Sequence, residues 1–425
     1  MTLLKTSFLN SIAVIIKMLT LLGINKVLAV YVGPSGYAAL GQFQNALQII
    51  STFASGSVNT GVTKYTAEYT DDIEKQHAVW KTAGTLATCA SLFTALIIAI
   101  FSKSLANIFF NDKDLFTVFL WLAGGLVFLT LNSLVLAILN GKKDIFRFVA
   151  ANIIGSIFAL STTSILAVKF GLYGALVALA LYQSLSFFVT IFICRKVAWF
   201  KLSLLFGSVD IKVAKNLLKF TAMALTSAAC VPLSQIYIRN YLGDTFSWEA
   251  AGYWEAMTRL SSAYLLLITS TLSVYYLPRL AELKLVQKIK SEIAQGYLYI
   301  LPCTIIMGLL IYILRDFIIG VLFTQEFNPM RELFAWQMVG DSLKIGSWIL
   351  AYLMLSKAMY KVFIVTEVIF SITFVALTMF FCHVFGFVGV TIAYAFNYAI
   401  YWLVMVCVIY YKFRVAMNTK EGVLC

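Results

Sequence analysis

Long apolar runs recur along the whole chain, separated by short polar or basic segments. A helix needs roughly 20 apolar residues to cross a hydrocarbon core of ~30 Å. Transmembrane β-strands would instead show segments of about ten residues with alternating polarity. The pattern predicts twelve transmembrane helices, at residues 3–31, 37–67, 79–101, 113–139, 146–168, 172–194, 216–241, 250–278, 292–313, 332–356, 361–383 and 386–411.

The second half of the chain repeats the first at an offset of 215 residues. FGLYGALVALA at 170–180 matches FGFVGVTIAYA at 385–395, and Lys142 corresponds to Lys357. Shorter matches at nearly the same offset include TAEY at 66–69 with LAEL at 280–283. An even number of spans in each half gives both halves the same orientation, with substrate expected at the interface between repeats. The sequence predicts an N-terminal lobe at 1–200, a cytoplasmic linker at 201–215 and a C-terminal lobe at 216–425.

Composition supports an all-α polytopic membrane protein without a soluble domain. Of the 425 residues, 61% are hydrophobic, whereas soluble proteins average about half. With the N-terminus inside, the inner segments hold 22 Lys and Arg and the outer loops hold 6, among them Arg239. The positive-inside rule then places both termini in the cytoplasm. The net charge of +13 therefore reflects topology and anionic lipid, and no nucleic-acid partner is expected.

Soluble-enzyme chemistry finds little support in the sequence. The seven Cys are scattered and the two His lie far apart, so neither a disulfide framework nor a metal site is expected. The phosphate-binding loop G-x-x-x-x-G-K is absent from the sequence, which argues against ATP hydrolysis. The first apolar run continues past Leu28 and is expected to be the first span rather than a cleaved signal. The sequence therefore predicts neither a cofactor nor an enzyme.

Polar residues form stripes on predicted helices 1, 2, 8 and 10. On span 2, Gln44, Gln48, Ser51, Ser55, Asn59 and Thr63 recur every three or four residues, the spacing of one helical face. Isolated Ser and Thr on such faces commonly form hydrogen bonds between helices, worth ~1 kcal/mol or less. We interpret the isolated hydroxyls in that structural way.

Ionisable residues inside the spans favour a functional interpretation. A charge at the centre of a membrane helix costs roughly 2.5–3.5 kcal/mol, and such residues usually face a wet cavity or the bundle interior. Glu255 with Arg259 and Asp341 with Lys344 have the spacing of intrahelical pairs, so part of their charge could be structural. Lys64 lies at the cytoplasmic end of span 2, where its side chain is expected to snorkel to the membrane–water interface. Glu367 could titrate or pair with a distant base.

The interior charges define two sets of candidate residues. The interior bases outnumber the acids, which favours an anionic ligand group, and the amides of span 2 suit sugar hydroxyls. The set predicted to bind substrate is Lys17, Lys26, Gln48, Asn59, Lys64, Arg259 and Lys344. The set predicted to couple ions or form charge pairs is Glu255, Asp341 and Glu367.

Several blocks of the sequence resemble the Wzx-type polysaccharide-repeat flippases of the MOP superfamily. This group includes the enterobacterial common antigen flippases and the O-antigen flippases. The blocks are KVLAVYVGPSG at 26–36, GVTKYTAEY at 61–69, SVYYLPRLAEL at 273–283, LRDF at 314–317 and RELFAWQMVGDSLKIG at 331–346. The resemblance runs from span 1 to span 12. It implies two six-helix lobes in a V shape, in the bacterial inner membrane, around a cationic cavity. It also implies that an undecaprenyl-pyrophosphate-linked oligosaccharide moves from the cytoplasmic to the periplasmic leaflet.

The same resemblance suggests a mechanism and partners. Arg259 would bind phosphate oxygens bidentately and the lysines would act as point charges, while Trp254, Trp336 or Trp348 would stack on sugars. Alternating access by a monomer is expected, driven by an ion gradient. The polymerase and chain-length regulator of the same pathway are candidate partners, beside membrane lipids.

Three other functions fit the pattern less well. A drug or cation antiporter of the same superfamily would share the spans and the repeat, but the interior bases disfavour it. A membrane polysaccharide polymerase would need a larger outer loop than the one at 314–331. An assembly scaffold would not need intramembrane charge.

Overall fold

In the part of the chain that the structure describes, the regular elements are helices. A computed structural model describes residues 3–55, 59–197, 199–357 and 359–417. The fourteen α-helices of these residues are α1 Leu3–Tyr31, α2 Gly33–Ser55, α3 Asn59–Glu68, α4 Ile73–Phe110, α5 Phe116–Gly141, α6 Ile145–Cys194, α7 Ile211–Thr245, α8 Trp248–Thr271, α9 Leu277–Glu282, α10 Val286–Ile313, α11 Arg315–Leu322, α12 Phe334–Ser356, α13 Tyr360–Phe385 and α14 Gly389–Met417. A π-helical segment, Leu272–Tyr276, joins α8 to α9.

Apolar helices account for the membrane character of the chain. Among the described residues, seven helical stretches are long and apolar enough to cross a membrane. Two of the seven, Ile145–Cys194 and Tyr360–Met417, each contain two of the predicted spans. The prediction of an all-helical, multi-pass membrane protein is confirmed. The full count of twelve crossings and the cytoplasmic placement of both termini stay predictions.

The two long stretches are divided at the repeated FG motif. Gly171 has φ 55° and ψ −134°, and Gly386 has φ 65° and ψ −150°. Residues with a side chain rarely adopt this backbone, so glycine is needed to break the helix there. The second glycine of each motif lies against backbone, because a methyl group at Gly174 would overlap the Leu166 carbonyl and one at Gly389 would overlap that of Phe381. The residues in the first overlap, Leu166 and Gly174, correspond to those in the second, Phe381 and Gly389, at the 215-residue offset of the repeat.

Helix ends and helix neighbours follow the same repeat. The backbone N–H of Lys142 donates to the carbonyl of Ile138 at the end of α5, and that of Lys357 donates to Leu353 at the end of α12. In the first half, α5 packs against α3, α4 and α6; in the second, α12 packs against α9, α10 and α14. The duplication predicted from sequence is therefore also a duplication of local structure.

The chain forms two compact units. The first contains the chain up to Leu233 except for Gly33–Ala38, and the second contains Gly33–Ala38 and the chain from Ser234 onward. Residues 201–217, predicted as a linker and the start of span 7, lie within the first unit, and Leu205 and Leu217 belong to its core. The predicted lobe boundaries stay predictions.

The core of the first unit contains a polar chain of contacts around Trp80, which is 0% exposed. The Trp80 indole donates to the Thr66 hydroxyl at 2.9 Å, and Gln76 Nε2 donates to the Thr66 carbonyl at 2.8 Å. Lys142 Nζ completes the chain by donating to Gln76 Oε1 at 2.8 Å, with its ammonium over the rings of Trp80 and Trp199. Burial lowers the pKa of Lys142 below its ordinary value. This chain of contacts ties α3, α4 and α5 together.

In the second unit, an aromatic cluster fixes the start of α2. Tyr37 is fully buried and its ring lies 5.2 Å from that of Phe327, in an edge-on arrangement. Phe323 contacts both rings. The segment between the predicted spans 9 and 10, expected to be an outer loop, is thus structured and includes α11 and the 3₁₀ turn Gln325–Leu333.

Candidate functional site

The second unit contains a buried cluster of three charged residues, which we call the arginine–glutamate cluster: Arg239, Glu255 and Arg259. Arg239 comes from α7, and the other two come from α8, one helical turn apart. Arg239 Nη2 lies 2.5 Å from Glu255 Oε2, and Arg259 Nε lies 2.7 Å from Glu255 Oε1. One carboxylate is therefore shared by two guanidinium groups, and the cluster carries one excess positive charge.

Burial differs between the two arginines of the cluster. The Arg239 side chain is 1% exposed, and its guanidinium lies 5.5 Å from the centre of the Trp254 ring. The Arg259 side chain is 14% exposed and lies over the ring of Tyr37. Arg239 thus supports the carboxylate from inside the protein, whereas Arg259 is the member that reaches the surface of the unit.

Sequence reasoning placed two members of this cluster correctly and misassigned the third. The intrahelical pair of Glu255 with Arg259 is present, as the spacing of four residues predicted. Arg239, however, was counted among the bases of the outer loops, which is wrong because its side chain is buried against Glu255. Its position inside the apolar run of predicted span 7 was the available signal. The partner, sixteen residues away across a turn, could not be found from helical spacing.

A second buried group, which we call the Asp341 cluster, joins three helices: Ser261 and Tyr264 of α8, Gln337 and Asp341 of α12, and Tyr394 of α14. Asp341 is 0% exposed. Its Oδ2 accepts from the Ser261 hydroxyl at 2.5 Å and from the Tyr264 hydroxyl at 2.6 Å. Its Oδ1 accepts from Tyr394 at 2.9 Å and from Gln337 Nε2 at 3.2 Å. Four donors on two oxygens match the acceptor capacity of an ionised carboxylate.

Lys344 lies beside this cluster and contacts aromatic rings. Its ammonium lies 4.9 Å from the centre of the Trp348 ring, 5.6 Å from Tyr398 and 5.9 Å from Tyr394. Among the residues that the structure describes, no ion pair joins Lys344 to Asp341. The direct i, i+3 pair considered from the sequence is therefore not formed here. Tyr394 contacts both residues, so its ring and hydroxyl connect the acid to the base.

The remaining acid, Glu367, is half-buried on α13. Within the described part of the chain it forms no ion pair, so the distant base considered from the sequence is not found. Its use in titration stays a prediction.

The candidates of predicted spans 1 and 2 lie in the first unit. Lys17 of α1, Gln48 of α2 and Lys64 of α3 are exposed, and Lys26 and Asn59 are half-buried. Lys64 lies over the ring of its neighbour Tyr65. The ten candidates thus divide evenly between the units, and their roles in substrate binding and ion coupling stay predictions.

The structure separates the three tryptophans predicted to stack on sugars. Trp254 is only 3% exposed and lies against Arg239, so its expected role as a sugar platform is wrong. Trp336 is 40% exposed, and Trp348 is half-buried beside Lys344. Trp348 is therefore the tryptophan that combines partial exposure with a neighbouring charge.

Comparison with known proteins identifies the family. A family described as polysaccharide biosynthesis protein matches residues 11–332. The chain is 30% identical over 405 residues to proteins named lipid III flippase in Escherichia coli (strain K12) and in Shigella flexneri. Each alignment covers 94% of this chain and 96% of the relative.

Solved structures with a similar fold come from transporters. One is a multidrug resistance MATE family transporter of the MOP superfamily in an inward-facing conformation, with a TM-score of 0.74 and 15% identity over 95% of this chain and 96% of that one. Another is the lipid II flippase MurJ in an inward closed conformation, with a TM-score of 0.74 and 15% identity over 96% of this chain and 87% of that one. At this identity the likeness concerns the fold. The chain therefore belongs to the polysaccharide biosynthesis protein family, as its resemblance to polysaccharide-repeat flippases predicted, and has the fold of MOP-superfamily transporters.

Proposed function

We propose that the protein is a flippase for an undecaprenyl-pyrophosphate-linked oligosaccharide, such as an O-antigen or enterobacterial common antigen repeat unit. It would move this lipid from the cytoplasmic to the periplasmic leaflet of the bacterial inner membrane. A sequence identity of 30% over 94% of the chain to two proteins named lipid III flippase supports this reaction. The proposal includes cytoplasmic termini and two six-helix lobes, residues 1–200 and 216–425, joined by 201–215.

The observation that carries the proposal is the arginine–glutamate cluster, in which two guanidinium groups share one carboxylate inside an apolar protein. In such surroundings the attraction between a guanidinium group and an arriving anion is stronger than in water. Arg259, the more exposed arginine, would bind pyrophosphate oxygens in the planar, bidentate manner of guanidinium groups. A carrier of organic cations would gain nothing from a positive cluster.

The other candidates of the substrate set would assist the crossing. Lys17, Lys26, Lys64 and Lys344 would attract the pyrophosphate, while Gln48 and Asn59 would bond sugar hydroxyls. Alternating access requires that the substrate bind one state more tightly than another, because a ligand shifts an equilibrium only by its differential affinity. The lipid tail would remain in the bilayer throughout.

Coupling to an ion gradient would use the acidic set. Asp341 is the best placed of these residues, since protonation would remove one acceptor position from a carboxylate that has four donors. Glu367 has no ion-pair partner among the described residues and is the second choice. Glu255 would act mainly as a charge pair. Flipping that continues unchanged after collapse of the proton and sodium gradients would contradict ion coupling.

The experiment is a flipping assay in proteoliposomes containing the lipid-linked oligosaccharide, with exposed sugar measured by an impermeant glycosidase. We expect the purified protein to accelerate transfer, and Arg259→Ala to lower the rate by at least tenfold. Lys169→Ala, which removes an exposed base from α6, is the matched control and should leave the rate unchanged. Equal rates with and without protein would overturn the proposal. Complementation of a flippase-null strain, scored for surface polysaccharide, provides the cellular test.

A second candidate function is export of drugs or cations by antiport. The fold similarity to MATE family transporters favours it. Cells expressing the protein would then extrude a cationic dye such as ethidium faster than cells that lack it. Dye export without flipping would establish the antiporter, and flipping without dye export would exclude it. The least favoured alternative is that the protein is itself a polysaccharide polymerase. The main proposal also holds that the flippase is a monomer and that the polymerase and chain-length regulator of the same pathway are its partners.

A further inference from the structure

The segment that connects α6 to α7, described at residues 195–197 and 199–210, packs against α4 within the first unit. Val197, Phe200 and Leu205 are each at most 7% exposed and belong to the core of that unit. Hydrogen bonds join the Thr85 hydroxyl to both backbone groups of Gly207 at 3.1 and 3.2 Å. The backbone N–H of Asp210 donates to the Thr82 hydroxyl at 3.0 Å. The connecting segment therefore presents a fixed outer surface.

That outer surface is apolar at four positions. Leu202 is 43% exposed, Phe206 41%, Val209 40% and Ile211 69%. Single exposed apolar residues are normal on proteins, but a group of them within ten residues of chain indicates a covered surface. Because Thr82 and Thr85 lie near the predicted cytoplasmic start of span 79–101, the hydrogen bonds hold the segment beside that end of the span.

The connecting segment is also rich in bases, although the acid Glu74 of α4 lines the same cleft as Val209 and Ile211. The exposed bases around the four apolar residues are Arg195, Lys196, Lys201, Lys212 and Lys215. Asp210 is the single acid between residues 195 and 215, and its Oδ1 already caps α7 by accepting from the N–H groups of Lys212 and Val213. Apolar side chains mixed with lysine and arginine are the composition of segments that lie in the interface of anionic membranes.

We propose that the connecting segment and the first turn of α7 are a binding surface for anionic phospholipid in the cytoplasmic leaflet. Leu202, Phe206, Val209 and Ile211 enter the headgroup region, and the five bases hold lipid phosphates beside them. The inference rests on the membrane orientation in the proposed function, but not on the transported substrate. Charge complementarity selects lipid over a protein partner, since the same short segment supplies both exposed apolar residues and exposed bases.

The first test measures the depth of Phe206. Full-length protein carrying Phe206→Cys, in a background without the native cysteines, is labelled with the fluorophore NBD and placed in phosphatidylcholine–phosphatidylglycerol nanodiscs. We expect blue-shifted emission and quenching by headgroup-proximal nitroxide lipids. Lys75→Cys is the control, because the Lys75 side chain is 65% exposed on the same predicted side and should report water. Water-like, unquenched emission at position 206 would overturn the proposal, as would photocrosslinking of position 206 to a protein in native membranes.

The second test measures the preference for anionic lipid by native mass spectrometry of the purified protein. A lysine near an anionic surface contributes a factor of about five to binding, so Lys201→Gln with Lys212→Gln should reduce retained phosphatidylglycerol by about 25-fold. Lys103→Gln with Lys169→Gln is the matched control on the opposite predicted side. Equal retention by the two double variants would overturn the proposal. Neither measurement involves the lipid-linked oligosaccharide, so failure here is distinct from failure of the flipping assay.

Discussion

Arg239 and Glu255 form an ion pair across the turn between α7 and α8, with Nη2 and Oε2 2.5 Å apart and side chains 1% and 7% exposed. Glu255 also pairs with Arg259, so the loss of Arg239 would leave the carboxylate balanced in charge but with one donor fewer. A buried acceptor that loses a charged donor lowers the stability of the fold. The pair therefore has a structural consequence that can be separated from transport.

Arg239→Met should destabilise the second unit by about 1–3 kcal/mol, because the buried Glu255 carboxylate would lose one charged donor while Arg259 continues to balance its charge. Thermal unfolding in detergent, followed by size-exclusion chromatography, measures the change. Arg331→Ala is the matched control, since Arg331 and Asp316 form an ion pair with both side chains more than half exposed. Exposed pairs contribute about 1 kcal/mol or less. Similar losses in both variants would refute the structural importance of Arg239.

The Asp341 cluster predicts energetic coupling between helices α8 and α12. Tyr264→Phe removes one donor and should cost about 1–3 kcal/mol, because the bond is to a buried carboxylate. Asp341→Asn should make the loss of the Tyr264 hydroxyl less costly. A double-mutant cycle is expected to give an interaction energy of about 0.5–3 kcal/mol. Additive effects would show that the two side chains act independently.

The repeated FG motif predicts that its second glycine is required in both halves. Gly174→Ala and Gly389→Ala should each lower the yield and melting temperature of the folded protein, because the added methyl group would overlap a backbone carbonyl. Gly124→Ala is the control, as a methyl group there meets no atom within 4 Å. That variant should be neutral or slightly stabilised, since alanine favours helix by about 1 kcal/mol. Tolerance of alanine at both motif positions would contradict the close packing.

We expect the side-chain amine of Lys142, at the end of α5, to be more reactive than that of an ordinary lysine. Burial lowers its pKa, so its uncharged form exists at lower pH than that of an ordinary lysine. Competitive acetylation followed by mass spectrometry should give a half-reaction pH below that of a lysine amide standard. The folded protein then holds this proton less tightly than the unfolded chain. Stability should therefore rise with pH between the lowered pKa and the ordinary 10.5. A half-reaction pH at or above the standard would count against burial of the charge.

Hydrophobic pattern alone predicted correctly that the chain is helical and multi-pass, because burial in lipid imposes one requirement on every span. The repeat was also visible in the sequence, since Gly171 and Gly386 adopt a backbone that residues with a side chain rarely adopt, and Gly174 and Gly389 lie against backbone atoms. Helical spacing identified the contact of Glu255 with Arg259, whose geometry depends on one helix only. These features are local, or follow from the solvent, and so can be read in sequence order.

Tertiary structure decided which partners the interior charges find. Arg239 of α7 reaches Glu255 of α8 across the turn between the two helices, and Asp341 also accepts hydrogen bonds from residues 53 to 80 positions away. Lys344, expected beside Asp341, instead lies over aromatic rings of α12 and α14. Sequence by itself determined that this is a helical membrane protein with an internal repeat and a net positive charge. The pairing of its buried charges depends on distances between helices, which hydrophobicity does not encode.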